Sequence, residues 1–98
     1  MHATAIPATG AQLTSRQTTD HLVIELHGEL DIASTTALRD HLLVLLRRAR
    51  TPVVIDLSGV TFCDAAGLSL LVGARRRAHL HDLPIALAAP RPQIHRLL

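Results

Sequence analysis

Between two short runs dense in β-branched residues, His21–His27 (HLVIELH) and Val53–Leu57 (VVIDL), the apolar residues change period. Leu38, Leu42, Leu45, Leu46 and Ala49 recur at steps of three and four, which places them on one stripe of a helix, with Arg39, Asp40, Arg47 and Arg48 pointing outward. Strands repeat every two residues and helices every 3.6, so a switch from one to the other and back forces a helix between strands. A short, nearly continuous apolar run such as Val53–Leu57 marks a central strand covered on both faces. At 98 residues the chain has room for one core only.

The rest of the chain extends that unit. Ala11–Thr18 is a mostly polar alternation suited to an edge strand, with Asp20 as the turn into the next. Gly28 interrupts the strand pattern as a bulge or a close backbone approach does, and a hydroxyl of Ser34, Thr35 or Thr36 is expected to cap the helix that follows. Pro52 marks its end. Ser58 and Gly59 are read as a turn, and Asp64 as the cap of a second helix from about Ala66 to Leu80, with Gly67, Leu70, Leu71, Ala74 and Ala78 on its buried face. Pro84 opens a strand through Ala89, and Pro90 and Pro92 open a third helix. Met1–Gly10, rich in Ala and Thr and without a period, is expected to be a flexible tail ahead of a domain spanning 11–98. The class is α/β, in the order β-β-α-β-α-β-α, with a mixed sheet and helices packed against it.

Composition excludes several functions. A single Phe62, with no Trp or Tyr, leaves nothing for stacking on nucleic-acid bases. The net charge is only +2, and the clusters Arg47, Arg48, Arg50 and Arg75–Arg77 fall at helix C-termini, where cations are favoured anyway, so no direct nucleic-acid binding is expected. No Gly-x-Ser-x-Gly elbow or glycine-rich phosphate loop is present, and the chain is expected not to be an enzyme. His79-Leu80-His81-Asp82 lacks a second ligand cluster, so neither a metal nor another cofactor is expected. The lone Cys63 reads as an inert core thiol, and the first residues offer no secretory signal. With no apolar run long enough to cross a bilayer, a cytoplasmic location without membrane insertion is expected.

Two stretches stand out together, Gly28-Glu29-Leu30-Asp31 and Asp56-Leu57-Ser58-Gly59-Val60-Thr61-Phe62-Cys63-Asp64-Ala65-Ala66-Gly67-Leu68, each running into a helix. With Ala89-Pro90-Arg91-Pro92 and Arg96-Leu97-Leu98 at the next strand-to-helix corner, their order and spacing resemble the STAS family, specifically the bacterial anti-sigma-factor antagonists, from about Leu13 to Leu98. The resemblance implies a protein-binding module that captures a serine-kinase anti-sigma factor and so frees a sigma factor. In typical members the segment matching Cys63–Leu68 carries a serine that the kinase phosphorylates to switch binding off, and here that position is Ala65. It further implies that Asp31 lies close to the switch segment and takes part in binding, although a cap or turn carboxylate ahead of the first long helix accounts for it equally well.

A helix N-terminus offers unpaired N–H groups and a partial positive charge, a polar docking surface that a phosphate changes drastically. Alanine has no oxygen to phosphorylate, so the unmodified surface is expected to be permanent. The expected contact residues are Glu29, Asp31, Asp64, Ala65, Ala66, Gly67, Leu68, Ser69, Val72 and Arg76. The last three lie, with Gly73 and Leu80, on the strip opposite the buried stripe of the second helix. Ser69, one turn beyond Ala65, is the nearest alternative hydroxyl. Some STAS domains are instead accessory subunits of ABC transporters that move lipids, and there the serine can be replaced. Family members also continue into one more strand and a closing helix that this sequence lacks. The resemblance therefore implies a C-terminally short domain whose uncovered apolar surface, worth about 25 cal/mol per Å², favours self-association.

Overall fold

The computed structural model describes residues 3–8, as backbone, and 10–98. The elements are β1 (Ala3–Ala8), β2 (Ala11–Gln17), β3 (Leu22–Leu30), α1 (Ile32–Arg48), β4 (Val53–Cys63), α2 (Ala65–Leu80), β5 (Ile85–Ala88) and α3 (Pro92–His95). They build one five-stranded sheet in the order β1-β2-β3-β4-β5, antiparallel across β1-β2-β3 and parallel across β3-β4-β5.

Strand β1 corrects the expectation of a tail. Ala3–Ala8 pairs along its length with β2, from Ala3 opposite Arg16 to Ala8 opposite Ala11. Pro7 is tolerated because β1 is an edge strand, where a missing N–H breaks no ladder on its outer side. Gly10, at φ 74°, supplies the left-handed backbone that the tight connection requires. Met1, His2 and Thr9 lie outside the described residues.

Both parallel crossovers advance in the same direction along the sheet, so the right-handed rule puts α1 and α2 on one face, and the two helices pack against each other. The face they cover is the core: Leu13, Leu22, Ile24, Leu26 and Leu30 from β2 and β3, Val53, Ile55, Leu57 and Val60 from β4, with Leu38 and Leu42 of α1 and Leu70 and Leu71 of α2 above them. The α2 stripe is buried as expected, at Gly67, Leu70, Leu71, Ala74 and Ala78. In α1, Leu38, Leu42 and Leu46 are buried and Leu45, with Ala49 at the C-cap, packs partly against the core. Val54 and Asp56 stay half-buried, so β4 has one fully covered face rather than the two expected of it.

Ser58 and Gly59 do not turn the chain, a second correction. β4 continues straight through them to Cys63, while its register with β3 slips by one residue between Asp56 and Gly59 and again between Val60 and Phe62. Each extra residue is a bulge, and each flips the inward parity of the strand. The inward residues are therefore Val53, Ile55 and Leu57, then Val60, then Cys63. A Cβ on Gly59 would run into the His27 ring that lies over it, so any other residue here has to displace that ring.

Candidate functional site at paired helix caps

The last residues of β3 and β4, Leu30 and Cys63, are register partners in the parallel ladder, and a helix starts directly after each. Two helix N-termini are thereby brought side by side at one end of the sheet. Asp31 caps α1 and Asp64 caps α2. The Asp64 amide donates to the Leu30 carbonyl at 3.2 Å, which ties the second corner to the first.

The cap of α1 is Asp31, as its reading as a cap carboxylate allowed, and not one of the hydroxyls of Ser34, Thr35 or Thr36. Asp31 Oδ1 accepts from the Ser34 amide at 3.0 Å, and Ser34 Oγ accepts in return from the Asp31 amide at 3.0 Å, a reciprocal capping box. Ser34, fully buried, also donates its hydroxyl to the Glu29 carbonyl at 2.6 Å, so none of its polar capacity is wasted. Thr35 and Thr36 bond back to the carbonyls of Asp31 and Ile32 at 2.7 Å each. At the second corner Asp64 caps as expected: its Oδ1 accepts from the amides of Ala66, at 2.8 Å, and Gly67, at 3.1 Å.

Glycine fixes how closely these corners approach. A Cβ on Gly67 would lie 2.5 Å from the Leu30 carbonyl oxygen and 2.7 Å from both Leu30 Cβ and Cys63 Sγ. Gly28, at φ 89°, holds the bend in β3 that leads to the first corner, where the Glu29 amide donates to the Gly10 carbonyl at 2.8 Å. Cys63 sits under the α2 cap, and burial, helped by the neighbouring Asp64 carboxylate, pushes its thiol above the usual range.

The expected contact residues separate into a surface and its supports. Glu29, Ala65, Ser69, Val72 and Arg76 are exposed, and Asp31, Asp64, Ala66 and Leu68 are half-buried. Gly67 is buried, so it positions the corner without presenting itself. Val72, Gly73, Arg76 and Leu80 continue the exposed strip along α2 as the helical geometry predicts. Two apolar residues at the same end went unnoticed in the sequence. Ile32, the first residue of α1, is 74% exposed, and Phe62, opposite Glu29 in the ladder, is 49% exposed. The available signal was their placement: each large apolar side chain stands within two residues of a capping aspartate, where a solvated corner has no use for it.

At the corner two carboxylates are spent on amide groups, the apolar residues face outward, and among the described residues no three His, Cys, Asp or Glu side chains converge as a metal site requires. Among the described residues, no helix is long and apolar enough to cross a membrane.

Comparison with known proteins gives a consistent result. The sequence model of the family described as "Mlab, STAS domain" matches residues 13–98. Two structures of the anti-sigma factor antagonist SpoIIAA, one unphosphorylated and one, from Bacillus, phosphorylated, superpose with a TM-score of 0.71 each. The unphosphorylated form is 20% identical, over 88% of this chain and 80% of that one. RsbS of Moorella thermoacetica gives a TM-score of 0.73 at 24% identity, over 86% of this chain and 72% of that one. The STAS domain of an antisigma-factor antagonist from Rhodobacter sphaeroides gives 0.65 at 18% identity, over 81% of this chain and 86% of that one. At these identities the likeness is one of fold.

Proposed function

The chain belongs to the STAS domain family, and from that premise we propose that it is an anti-sigma-factor antagonist, a protein-binding module and not an enzyme, whose partner is a serine-kinase anti-sigma factor. The observation that carries this reading is the paired corner. Two acid-capped helix N-termini lie side by side with Ile32 and Phe62 exposed beside them, and Ala65 stands at the first, outward position of α2. Capturing the kinase releases a sigma factor, and transcription is regulated by binding alone.

Ala65 makes this a binder without the phosphorylation switch. A phosphoryl group needs a hydroxyl oxygen to accept it, and the first position of α2 has none. Ser69 is exposed, one turn further along, but its hydroxyl stands in the middle of a helical turn rather than at the capped corner.

The test is affinity capture from the native cell with this chain and with Ala65→Ser, each with and without ATP. Both are expected to retain the kinase without ATP, and only the serine version to release it when ATP is added, with one phosphate by intact mass. A stoichiometric phosphate on the unsubstituted chain refutes the constitutive reading. Recovery of a permease and its ATPase instead of a kinase refutes the antagonist reading in favour of a transporter accessory role.

A further inference from the structure

Away from the paired corner, α1 and α2 leave a furrow between them, about 240 Å³ in volume and open to solvent. Its floor is apolar: Leu42, Leu70 and Ala74 are all nearly inaccessible from outside. Its rim is cationic, with Arg39 on the α1 side and Arg76 and Arg77 on the α2 side. The charge is unbalanced. α2 carries no acidic residue and α1 only Asp40, and the ion pairs of the described residues involve Arg16, Glu25 and His27 on the sheet, none of the rim arginines. Arg77 Nε is buried and has no acceptor among the described residues. A buried charged donor without a partner is disfavoured, and the accessible part of the half-buried Arg77 guanidinium can offer a carboxylate the charge-assisted bonds that such groups favour.

Gly73 lies on the groove wall, and a Cβ there would have nothing within 4 Å. A second backbone can therefore come close at this point. The exposed Leu80 lines the groove as well, and beyond it the exposed Val72 extends the apolar surface along α2.

From these features we infer that the α1–α2 groove docks an acidic amphipathic helix of a partner protein, apolar side chains inserted between the two helices and carboxylates on Arg39, Arg76 and Arg77. Two adjacent parallel helices present a furrow in which a third helix packs, anchored at i, i+3 or i+4, and i+7. A flat anionic lipid surface fits less well, because the apolar part of the furrow is recessed between the two helices behind the arginine rim. The groove shares Ser69, Gly73, Arg76 and Leu80 with the outer strip of α2 but draws its far wall, Arg39, Leu42 and Leu43, from the body of α1. It does not depend on the antagonist reading.

The experiment selects a displayed library of random 16-residue peptides on the whole chain. The enriched peptides are then titrated by fluorescence anisotropy at low and physiological salt, beside vesicles containing phosphatidylglycerol. The expected sequences set Glu or Asp beside apolar residues at helical spacing, and their binding weakens with salt. Arg39→Ala and Arg77→Ala are each expected to lower the affinity about tenfold or more. Gly73→Gln, which fills the groove without touching the charge or the core, is expected to abolish binding while leaving the melting temperature at or a few degrees above that of the parent. Ala65→Glu at the corner is expected to leave peptide binding unchanged, which separates failure here from failure of the antagonist reading. The inference is overturned if no acidic peptides are enriched, if their binding survives Gly73→Gln, or if the arginine-dependent ligand proves to be the vesicle.

Discussion

Two glycines on one helix make opposite demands, and replacing each with alanine measures the difference. Gly73 lies exposed in the middle of α2 with open space where its Cβ would be, so Gly73→Ala adds only helix propensity. The expected effect is a stabilisation of about 0.5–1 kcal/mol. Gly67 lies in the first turn, and its Cβ would stand 2.5 Å from a backbone oxygen, Leu30 O, and 2.7 Å from Leu30 Cβ and Cys63 Sγ. None of these is the free end of a flexible chain, so the helix start must move off the sheet. Overpacking of this kind costs about 1–3 kcal/mol. The propensity gain, smaller in a first turn than in a helix interior, offsets only part of that. At about 4–8 °C per kcal/mol for a domain of this size, Gly73→Ala should melt higher than the parent by several degrees and Gly67→Ala lower by a comparable or larger margin. Thermal melts by circular dichroism, paired with urea titrations, read both. If Gly67→Ala melts at or above the parent, the close approach of the two corners is not what holds α2 in place, and the geometry assigned to the paired caps is wrong.

Other residues give independent checks. Asp64→Ala removes the acceptor of two amides and should cost about 1 kcal/mol by urea midpoint at constant slope, while Asp64→Asn should stay within a few tenths. Leu38→Ala empties a fully buried position under α1 and should cost about 2–5 kcal/mol, a large share of what a small domain possesses. Because the Cys63 thiol is raised by burial first and by Asp64 second, the fold favours its neutral form. That contribution is complete below the ordinary thiol value of about 8.5 and is lost as pH rises through the higher folded value. Urea stability should therefore fall above pH ~9 in the parent, with a shallower fall in Cys63→Ala. At pH 8, Ellman's reagent should label the native thiol far more slowly than the unfolded one.

Much of the fold was legible because burial and period agree over most of the chain. The α2 stripe and the Asp64 cap were readable since each follows from local geometry: a 3.6 repeat, or a short carboxylate ahead of it. The bulged part of β4 was not. Inward residues at Leu57, Val60 and Cys63 are spaced by three, which resembles a turn after Ser58-Gly59 until the partner strand shows two extra residues taken up in register. The α1 cap was left open between Asp31 and the following hydroxyls for a related reason. Ser34, Thr35 and Thr36 are all good capping residues, and only the position at which β3 ends decides that Asp31 caps while Ser34 closes the box from the third helical position. β1 was missed because Ala-rich sequence with a proline carries no strand period, and its pairing with β2 is a tertiary fact. At the site, Ile32 and Phe62 are ordinary apolar residues by sequence, and their exposure depends on where the sheet stops.

The caps also determine how a charge at this corner would act. The amides of Ala66 and Gly67, to which a phosphate on the first residue of α2 would otherwise turn, already donate to Asp64. Asp31 Oδ1 holds the Ser34 amide in the same way at the adjoining corner, so both helix starts already carry a carboxylate on their amides. A phosphoryl group on Ala65→Ser carries about two negative charges at neutral pH and gains little from the helix N-terminus, while Asp64 repels it. It is therefore driven outward, into the space that the proposed partner would occupy. Modification at this corner should then separate two observables: the melting temperature of the phosphorylated Ala65→Ser chain should stay close to that of the unphosphorylated one, while its capture of the kinase is lost. A large loss of thermal stability on phosphorylation would mean instead that the caps are broken from within, and that the corner signals by unfolding rather than by presenting charge.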